Sequence, residues 1–372
     1  MSLDNLSDIA FCDTDPSTAQ TDAVSSYETV AGVSLAAGNP ERLFLEAVAV
    51  ILAQQRYLID WTGKQNLLAY ASGDYLAHLG AFYGCGRLAA TAATVTLRFS
   101  TDETKSYAIL IPTGTRATPD NSLIFATDST ATLAAGETSV DVVATCVTIG
   151  PTGSGYVAGQ INKLVDVISG VTAVTNTTTS YGGADEEDDV RYRERIRLAV
   201  ESFSTCGPEG AYQYRTLSVS PVIIDVAAVS HDPGVVTVYP LCCGGVLPTA
   251  TLIGAVAVAL GGRKVRPLTD IVQVRSPEPV PYDVKATWYL AESASGKAAV
   301  VAAAVEKAKS EYLAWQRGKL GRDIDPSELT ARIKAAGVKR VVVTSPEYKQ
   351  LEAWQVAIPG TVGVVFGGME GA

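Results

Sequence analysis

The chain has 372 residues, 47% of them hydrophobic and only 18% charged, with a formal net charge of -10 at pH 7. That length implies more than one domain, at roughly 100–200 residues each. The acidic balance, with no basic run beyond one short knot, speaks against a nucleic-acid surface, which concentrates Lys and Arg on one face. Its most apolar run, Ala47 to Ala53, is far below the roughly 18 residues of a membrane span, so no membrane insertion is expected. No basic segment followed by an apolar core opens the chain, which reads as made and kept in a cytoplasm.

Taken in order, residues 1–38 are rich in Ser, Thr, Asp and Ala and read as a flexible N-terminal arm. Asn39-Pro40-Glu41 gives an N-cap, a proline at the first helical position and an acid in the first turn, the start of a helix within a helical segment over 39–90. Leu43, Phe44, Ala47, Val48, Ile51, Leu52, Leu58 and Ile59 cover more than one face of it. Such a helix is buried on several sides, either in its own core or in a bundle shared with other chains. A further helical stretch is expected at Leu67 to Ala71. A short helix should then follow the Ser72-Gly73-Asp74 turn and stop at Gly84.

From Thr91 the pattern changes to alternation, as in Val95, Leu97 and Phe99, with a turn at Pro112-Thr113-Gly114-Thr115. This predicts a mostly β domain over 91–181. At Gly182-Gly183-Ala184-Asp185 a helix should start, with Asp185 as N-cap and Asp188 completing a capping box. Tyr192, Ile196, Ala199 and Phe203 would share one face of it. Glu187 with Arg191 and Asp189 with Arg193 would form pairs one turn apart. A helix from Pro208, strands on either side of the Asp232-Pro233-Gly234 turn, a helix over Thr251 to Leu260 and a strand over Ile271 to Val274 compose a central α+β domain, 182–278.

Pro277-Glu278-Pro279-Val280-Pro281 reads as a linker and candidate hinge, because proline is excluded from central strands and helix interiors. The last domain, 279–372, is a second α+β module: a strand over Val284 to Leu290, a long helix over Gly296 to Arg317, a helix from Asp325-Pro326, and strands at Val338 to Val343 and Val362 to Phe366. The pattern of a helix, a turn and Val-x-x-Val recurs at 208–229 and 326–343. The fold class is therefore α+β multidomain, with an N-terminal helical segment, a small mostly-β domain and two α+β modules.

Material for catalysis is thin. His78 and His231 are the only histidines, and no G-x-S-x-G, H-E-x-x-H or Walker A sequence occurs. Gly153-Ser154-Gly155-Tyr156-Val157-Ala158 matches G-x-G-x-x-A without the strand and helix that a dinucleotide site requires. Asp185, Glu187 and Asp189 alternate as calcium ligands do, but Val190 and Ile196 stand where such a loop needs Gly and Glu. Cys12, Cys85, Cys146, Cys206, Cys242 and Cys243 show no C-x-x-C spacing, and most read as buried thiols. No catalytic residue, metal or cofactor is expected. The basic knot Arg263, Lys264 and Arg266 could meet the acidic Asp185, Glu187 and Asp189 of a neighbouring copy in a ring.

Several stretches together resemble the baseplate J-like proteins of contractile phage tails. They are Ala71-Ser72-Gly73-Asp74-Tyr75-Leu76 with Tyr83-Gly84 and Arg87, Ile111-Pro112-Thr113-Gly114-Thr115, and Gly182-Gly183-Ala184-Asp185 with Glu187-Asp188 and Arg191 to Ile196. Gly210-Ala211-Tyr212, Pro233-Gly234-Val235-Val236-Thr237-Val238 and Arg266-Pro267-Leu268-Thr269-Asp270 continue the series, so that it covers about residues 70–345. The pattern departs at Ser220-Pro221-Val222, where a Pro-Gly-Val turn is usual, and at Tyr156, where asparagine is common. The resemblance implies a non-enzymatic wedge subunit, with two copies per wedge joined to other wedge proteins and six wedges closing a ring around a hub. That ring rearranges as the sheath contracts. The apolar helix, through Leu43, Phe44, Val48, Ile51, Leu52 and Leu58, would enter a shared bundle, and the C-terminal domain would mediate contacts between copies. A carbohydrate- or receptor-binding tail module and a tail-associated hydrolase are the other readings.

Overall fold

The computed structural model describes residues 6–204, 206–262, 265–267 and 269–371. They form a mixed α and β chain that divides into two compact units: residues up to Arg87 together with Asp188–Arg197, and Leu88–Glu187 together with Leu198 onward. Helix α1 spans Pro16–Ala31, α2 Pro40–Lys64, α3 Gly73–Phe82 and α4 Asp189–Ala199.

In the first unit, α1 corrects the expectation of a flexible arm. The Asp15 carboxylate accepts from the Ser17 N–H at 2.9 Å, Pro16 fills the first turn, and Gly32 ends the helix in the left-handed region. Ala19 and Val24 are its buried residues, and α1 lies along α2, where Asp22 receives Arg56 at 3.0 Å. Residues 67–71 form turns, not the helix expected there: Tyr70 and Ala71 both donate to the Leu67 carbonyl. The side chain of Gln65 explains the stop, since its oxygen accepts from the Ser72 N–H at 3.1 Å and bends the chain toward α3.

In the second unit, residues 88–187 carry strands β1 (Ala92–Ser100), β2 (Ile109–Ile111), β3 (Arg116–Thr118), β4 (Phe125–Thr127), β5 (Ala131–Leu133), β6 (Ser139–Ile149), β7 (Lys163–Leu164) and β8 (Ala173–Asn176). Six of them pair antiparallel in the order β7-β3-β4-β6-β1-β8, a nearly closed, barrel-like sheet, while β2 pairs with β5. Alternation decides what goes inside: Ala93, Val95, Leu97 and Phe99 of β1 are buried with Phe125, Val142, Ala144 and Ile161. Asn176 is the polar exception. Fully buried, it accepts from Ile161 N–H at 2.8 Å and donates to the carbonyls of Tyr156, Val157 and Thr178, so one amide ties both ends of the bend 156–161.

Downstream come α5 (Glu209–Leu217), β9 (Ile223–Asp232), β10 (Val235–Cys242), α6 (Ala250–Leu260) and β11 (Ile271–Val274). The sheet order is β11-β10-β9, with β10 antiparallel to β9 and parallel to β11. Tyr212, Ile223, Val226, Val238, Val256 and Leu260 form one core between the sheet and the two helices. Next are β12 (Glu278–Ala291), α7 (Ala298–Arg317), α8 (Pro326–Ala335), β13 (Arg340–Ser345) and β14 (Gln355–Glu370), in the order β13-β12-β14. Here Val284, Ala286, Trp288 and Leu290 of the strand meet Val301, Val305 and Tyr312 of α7 and Leu329 and Ile333 of α8.

From Glu278 on, the expected Pro277–Pro281 hinge is strand instead. Glu278 to Pro281 pair with Gln355 to Ile358 of β14, and β13 reaches only Lys285 to Tyr289. Pro279 and Pro281 therefore lie where β12 has a neighbour on one side alone, and their lack of an N–H costs no ladder bond.

Candidate interaction site

Helix α2 presents the most apolar exposed surface of the first unit. Only Ala49, Ala53 and Asp60 of its 25 residues are buried. Phe44 is 68% exposed, Ile51 58% and Leu58 49%, and Leu43 and Leu52 are also exposed, with Val48 half-buried. The helix is thus not enclosed within its own chain, as one of the two sequence readings required. Most of its open residues fall into two adjacent seams with four- and three-residue spacing, while the exposed Leu52 and Ile59 lie outside both. Leu43, Ala47, Val50, Gln54, Tyr57 and Trp61 make one; Phe44, Val48, Ile51, Gln55, Leu58 and Thr62 make the other. Each seam carries a glutamine at the same level, Gln54 and Gln55, a polar layer of the kind that fixes register between packed helices.

Elsewhere, segments far apart in sequence are joined by hydrogen bonds and ion pairs. α4 starts one turn later than expected: Asp188, not Asp185, caps it, accepting from the N–H groups of Val190 and Arg191, each at 2.9 Å. The reason lies just upstream, where extended pairing holds residues 184–187. Ala184 bridges Thr91, the Glu187 N–H donates to the Leu88 carbonyl at 3.0 Å, and the Glu187 carboxylate accepts from the Leu88 N–H at 3.1 Å.

Asp189 forms its ion pair with Arg87, not within its own helix as expected, and accepts from Gly73 N–H at 3.1 Å; the Arg87 guanidinium holds its carboxyl below the ordinary value. Tyr192, Ile196 and Ala199 are buried as expected, but the helix gives way to a 3-10 turn at Val200 and leaves Phe203 exposed. The Tyr192 hydroxyl donates to the Cys85 carbonyl at 2.7 Å, Arg193 to Ala71 at 2.9 Å and Arg195 to Gly86 at 2.5 Å. Arg87 lies 4.8 Å over the Tyr192 ring. A side chain at Gly80 would overlap the Tyr192 hydroxyl, so α3 admits only glycine there.

The proposed charge contacts between copies are altered by this. Glu187 is buried and Asp189 is engaged by Arg87, which takes both away from a surface contact; Asp185 remains exposed. Arg266 donates to the carbonyls of Pro267 and Asp270 within its own loop. Arg263 and Lys264 lie outside the described residues.

Groups weighed for chemistry stand apart from one another. His78 is exposed on α3. His231 is at the end of β9, edge-on to Trp354 at 4.6 Å and 3.3 Å from the Tyr239 hydroxyl. Gly153 ends a 3-10 turn and no helix follows Gly155, so the glycine motif has no dinucleotide context. Three cysteines are buried, Cys85, Cys146 and Cys242, while Cys206 and Cys243 are exposed and Cys12 is intermediate. Burial pushes the Cys242 thiol up to about 12, which keeps it protonated and unreactive. Among the described residues, no three His, Cys, Asp or Glu side chains form a group that could hold a metal ion.

Three family models match the chain: a baseplate J-like protein barrel domain over residues 94–183, a baseplate J-like central domain over 204–276, and a baseplate J-like protein C-terminal domain over 282–365. The chain is 35% identical over 177 residues to baseplate protein J of Escherichia phage P2, an alignment that spans 47% of this chain and 58% of that protein. It is also similar to a chain in a cryo-EM structure of the anti-feeding prophage baseplate, 6-fold symmetrised, at 13% identity and a TM-score of 0.42, over 91% of this chain and 90% of that one.

Proposed function

Because the chain belongs to the baseplate J-like family, we propose that it is a non-enzymatic wedge subunit of a contractile tail baseplate. Copies of it join other wedge proteins in the ring around the central hub, and that ring rearranges when the sheath contracts. It is assembled in the host bacterial cytoplasm and resides in the tail baseplate of the finished particle.

The observation that carries this reading is the doubly open face of α2. One seam would accommodate one partner helix; two adjacent seams accommodate two, so α2 acts as the central member of a bundle completed by other chains. Burying Phe44, Ile51 and Leu58 alone contributes about 1.5–3 kcal/mol each, enough to make the assembly depend on this helix. Gln54 and Gln55 set its register. Contacts between copies fall to the C-terminal module, giving a homodimer within the larger ring, with Asp185 and Arg266 as the remaining candidates for charge contacts.

Co-expression with the neighbouring wedge proteins, followed by size-exclusion chromatography and electron microscopy, tests the proposal. Wedge-shaped hetero-oligomers are expected with the native chain. Phe44→Glu combined with Ile51→Glu should abolish them and leave the helix content of the free chain unchanged. Assembly that survives both substitutions overturns the role given to α2.

A further inference from the structure

Strand β14 is an edge of its sheet: β12 lies on one side of it and, among the described residues, no strand lies on the other. An exposed edge is a row of unpaired N–H and C=O groups, which proteins ordinarily guard with charge, proline or shortness. The opposite edge, β13, is guarded in each of these ways. It is six residues long, Lys339 and Arg340 stand at its start, and Pro346 directly follows it. β14 has 16 residues, none of them charged between Val356 and Met369, and no proline after Pro359. From Gly360 to Glu370 no residue is buried.

The core is also open along this edge. Val362, Val364 and Phe366 pair in parallel with Val284, Ala286 and Trp288, and so lie on the same face of the sheet. Val362 and Val364 are only partly buried against that core, and Phe366, 4.6 Å from the Trp288 ring, is 47% exposed.

We propose that β14 pairs antiparallel with β14 of a second copy, making one sheet continuous across a two-fold axis. This rests on the reading that contacts between copies fall to the C-terminal module, and it names the strand that makes them. A patch that meets itself across a two-fold must be self-complementary. A strand without charge meets that condition at every pair of residues, whereas like charges set opposite each other repel.

The register follows from two bulges. β14 has one extra residue relative to β12 at 360–361 and another at Gly367, which leaves Val362 to Phe366 as the straight run with Val364 at its midpoint. Straight run against straight run sets Val364 opposite Val364 of the second copy, Val362 opposite Phe366, and Gly363 opposite Val365. The first two pairings carry the apolar core across the axis and cover Phe366. The third lies on the other face, where Val365 is 56% exposed and a side chain at Gly363 would meet nothing within 4 Å.

Analytical ultracentrifugation of the full chain tests this, with Phe44→Glu and Ile51→Glu in place so that self-association through α2 does not contribute. A dimer is expected. Adding Gly363→Lys and Val365→Lys sets like charges opposite each other twice and should weaken the dimer at least about tenfold. Gly363→Glu with Val365→Lys instead sets opposite charges across the same pairs and should restore it, more fully at low salt than at high. Amide hydrogen exchange gives a reading without charged variants of β14: residues 362–366 should exchange more slowly as the concentration rises through the dimer range. A chain that stays monomeric, a dimer indifferent to the two lysines, one that the opposite charges fail to restore, or exchange that ignores concentration would each overturn the proposal. Binding to the other wedge proteins, followed with Phe44 and Ile51 intact, reads the wedge role separately. The variant with two lysines in β14 should still bind them, and a native chain that does not would sink the wedge reading while the β14 dimer stayed measurable.

Discussion

The two three-stranded sheets share one layout: a central strand, an antiparallel neighbour on one side and a parallel one on the other. In both, a helix follows the central strand and another precedes the antiparallel one, α6 and α5 around β10 and β9, α7 and α8 around β12 and β13. The chain visits the strands in different orders. β9 turns straight into β10 through the Asp232–Val235 hairpin, whereas β13 continues to the parallel edge β14. The repeat of helix, turn and Val-x-x-Val marks α5 with β9 and α8 with β13, so local sequence specifies the helix and its edge strand but not where the chain goes next.

Burial separates the two sheets further. β10 is buried almost continuously, because one face meets α5 and α6 while Ala227, Tyr239 and Leu241 on the other pack against Leu320 and Val356. β12 alternates strictly, with Asp283 and Lys285 exposed on the face opposite Val284 and Ala286. A sheet packed on both faces loses its period of two, and one packed on a single face keeps it.

Four substitutions would break or sharpen this contrast. Thr287→Pro lies where β13 and β14 both flank β12, so it should cost about 3 kcal/mol or more, measured by urea unfolding. Leu241→Ala empties the doubly packed face and should cost about 2–5 kcal/mol, with a lowered midpoint seen in both urea and thermal unfolding. Asp225→Asn changes a pH profile. Burial outweighs the Leu320 and Val226 N–H bonds and the Lys319 and Arg322 charges, and raises the Asp225 carboxyl above its ordinary 3.8. The folded state therefore binds this proton more tightly than the unfolded chain, and the contribution falls as pH rises from about 4 to the raised value. Asparagine should remove that fall while still accepting from Leu320; an unchanged midpoint-versus-pH curve would show that Asp225 is not its source. Pro281→Ala should matter least, about 0.4–1 kcal/mol through the unfolded chain, since no neighbouring strand awaits an N–H there. An effect near that of Thr287→Pro would mean that the one-sided segment is not what tolerates proline.

Much of this was legible in the residues. Alternation at Val95, Leu97 and Phe99 places β1, Asp325-Pro326 starts α8 where expected, and the Gly234 turn joins β9 to β10. Asp15-Pro16 is the same type of helix start as Asn39-Pro40 and Asp325-Pro326, and was obscured because α1 buries only Ala19 and Val24 and so carries no apolar period. The prolines of β12 misled for a different reason: which side of a strand lacks a neighbour is a property of the sheet. Pro240 repeats the lesson, paired with Val226 beyond the reach of β11. At the candidate site, the apolar residues of α2 were visible but not that they face solvent in the single chain. The charge block at 185–189 looked like a surface feature because its partners, Leu88, Arg87 and Gly73, are about a hundred residues away.

The bonds between Leu88 and Glu187 mean that the barrel-like segment is entered and left through one closed doorway. Close by in sequence, Arg87 and Asp189 are held together as well. Residues 88–187 therefore have the form of a cassette, inserted between α3 and α4 with both ends pinned. Changes of length inside 88–187 would leave the paired ends, Leu88 with Glu187, as they are.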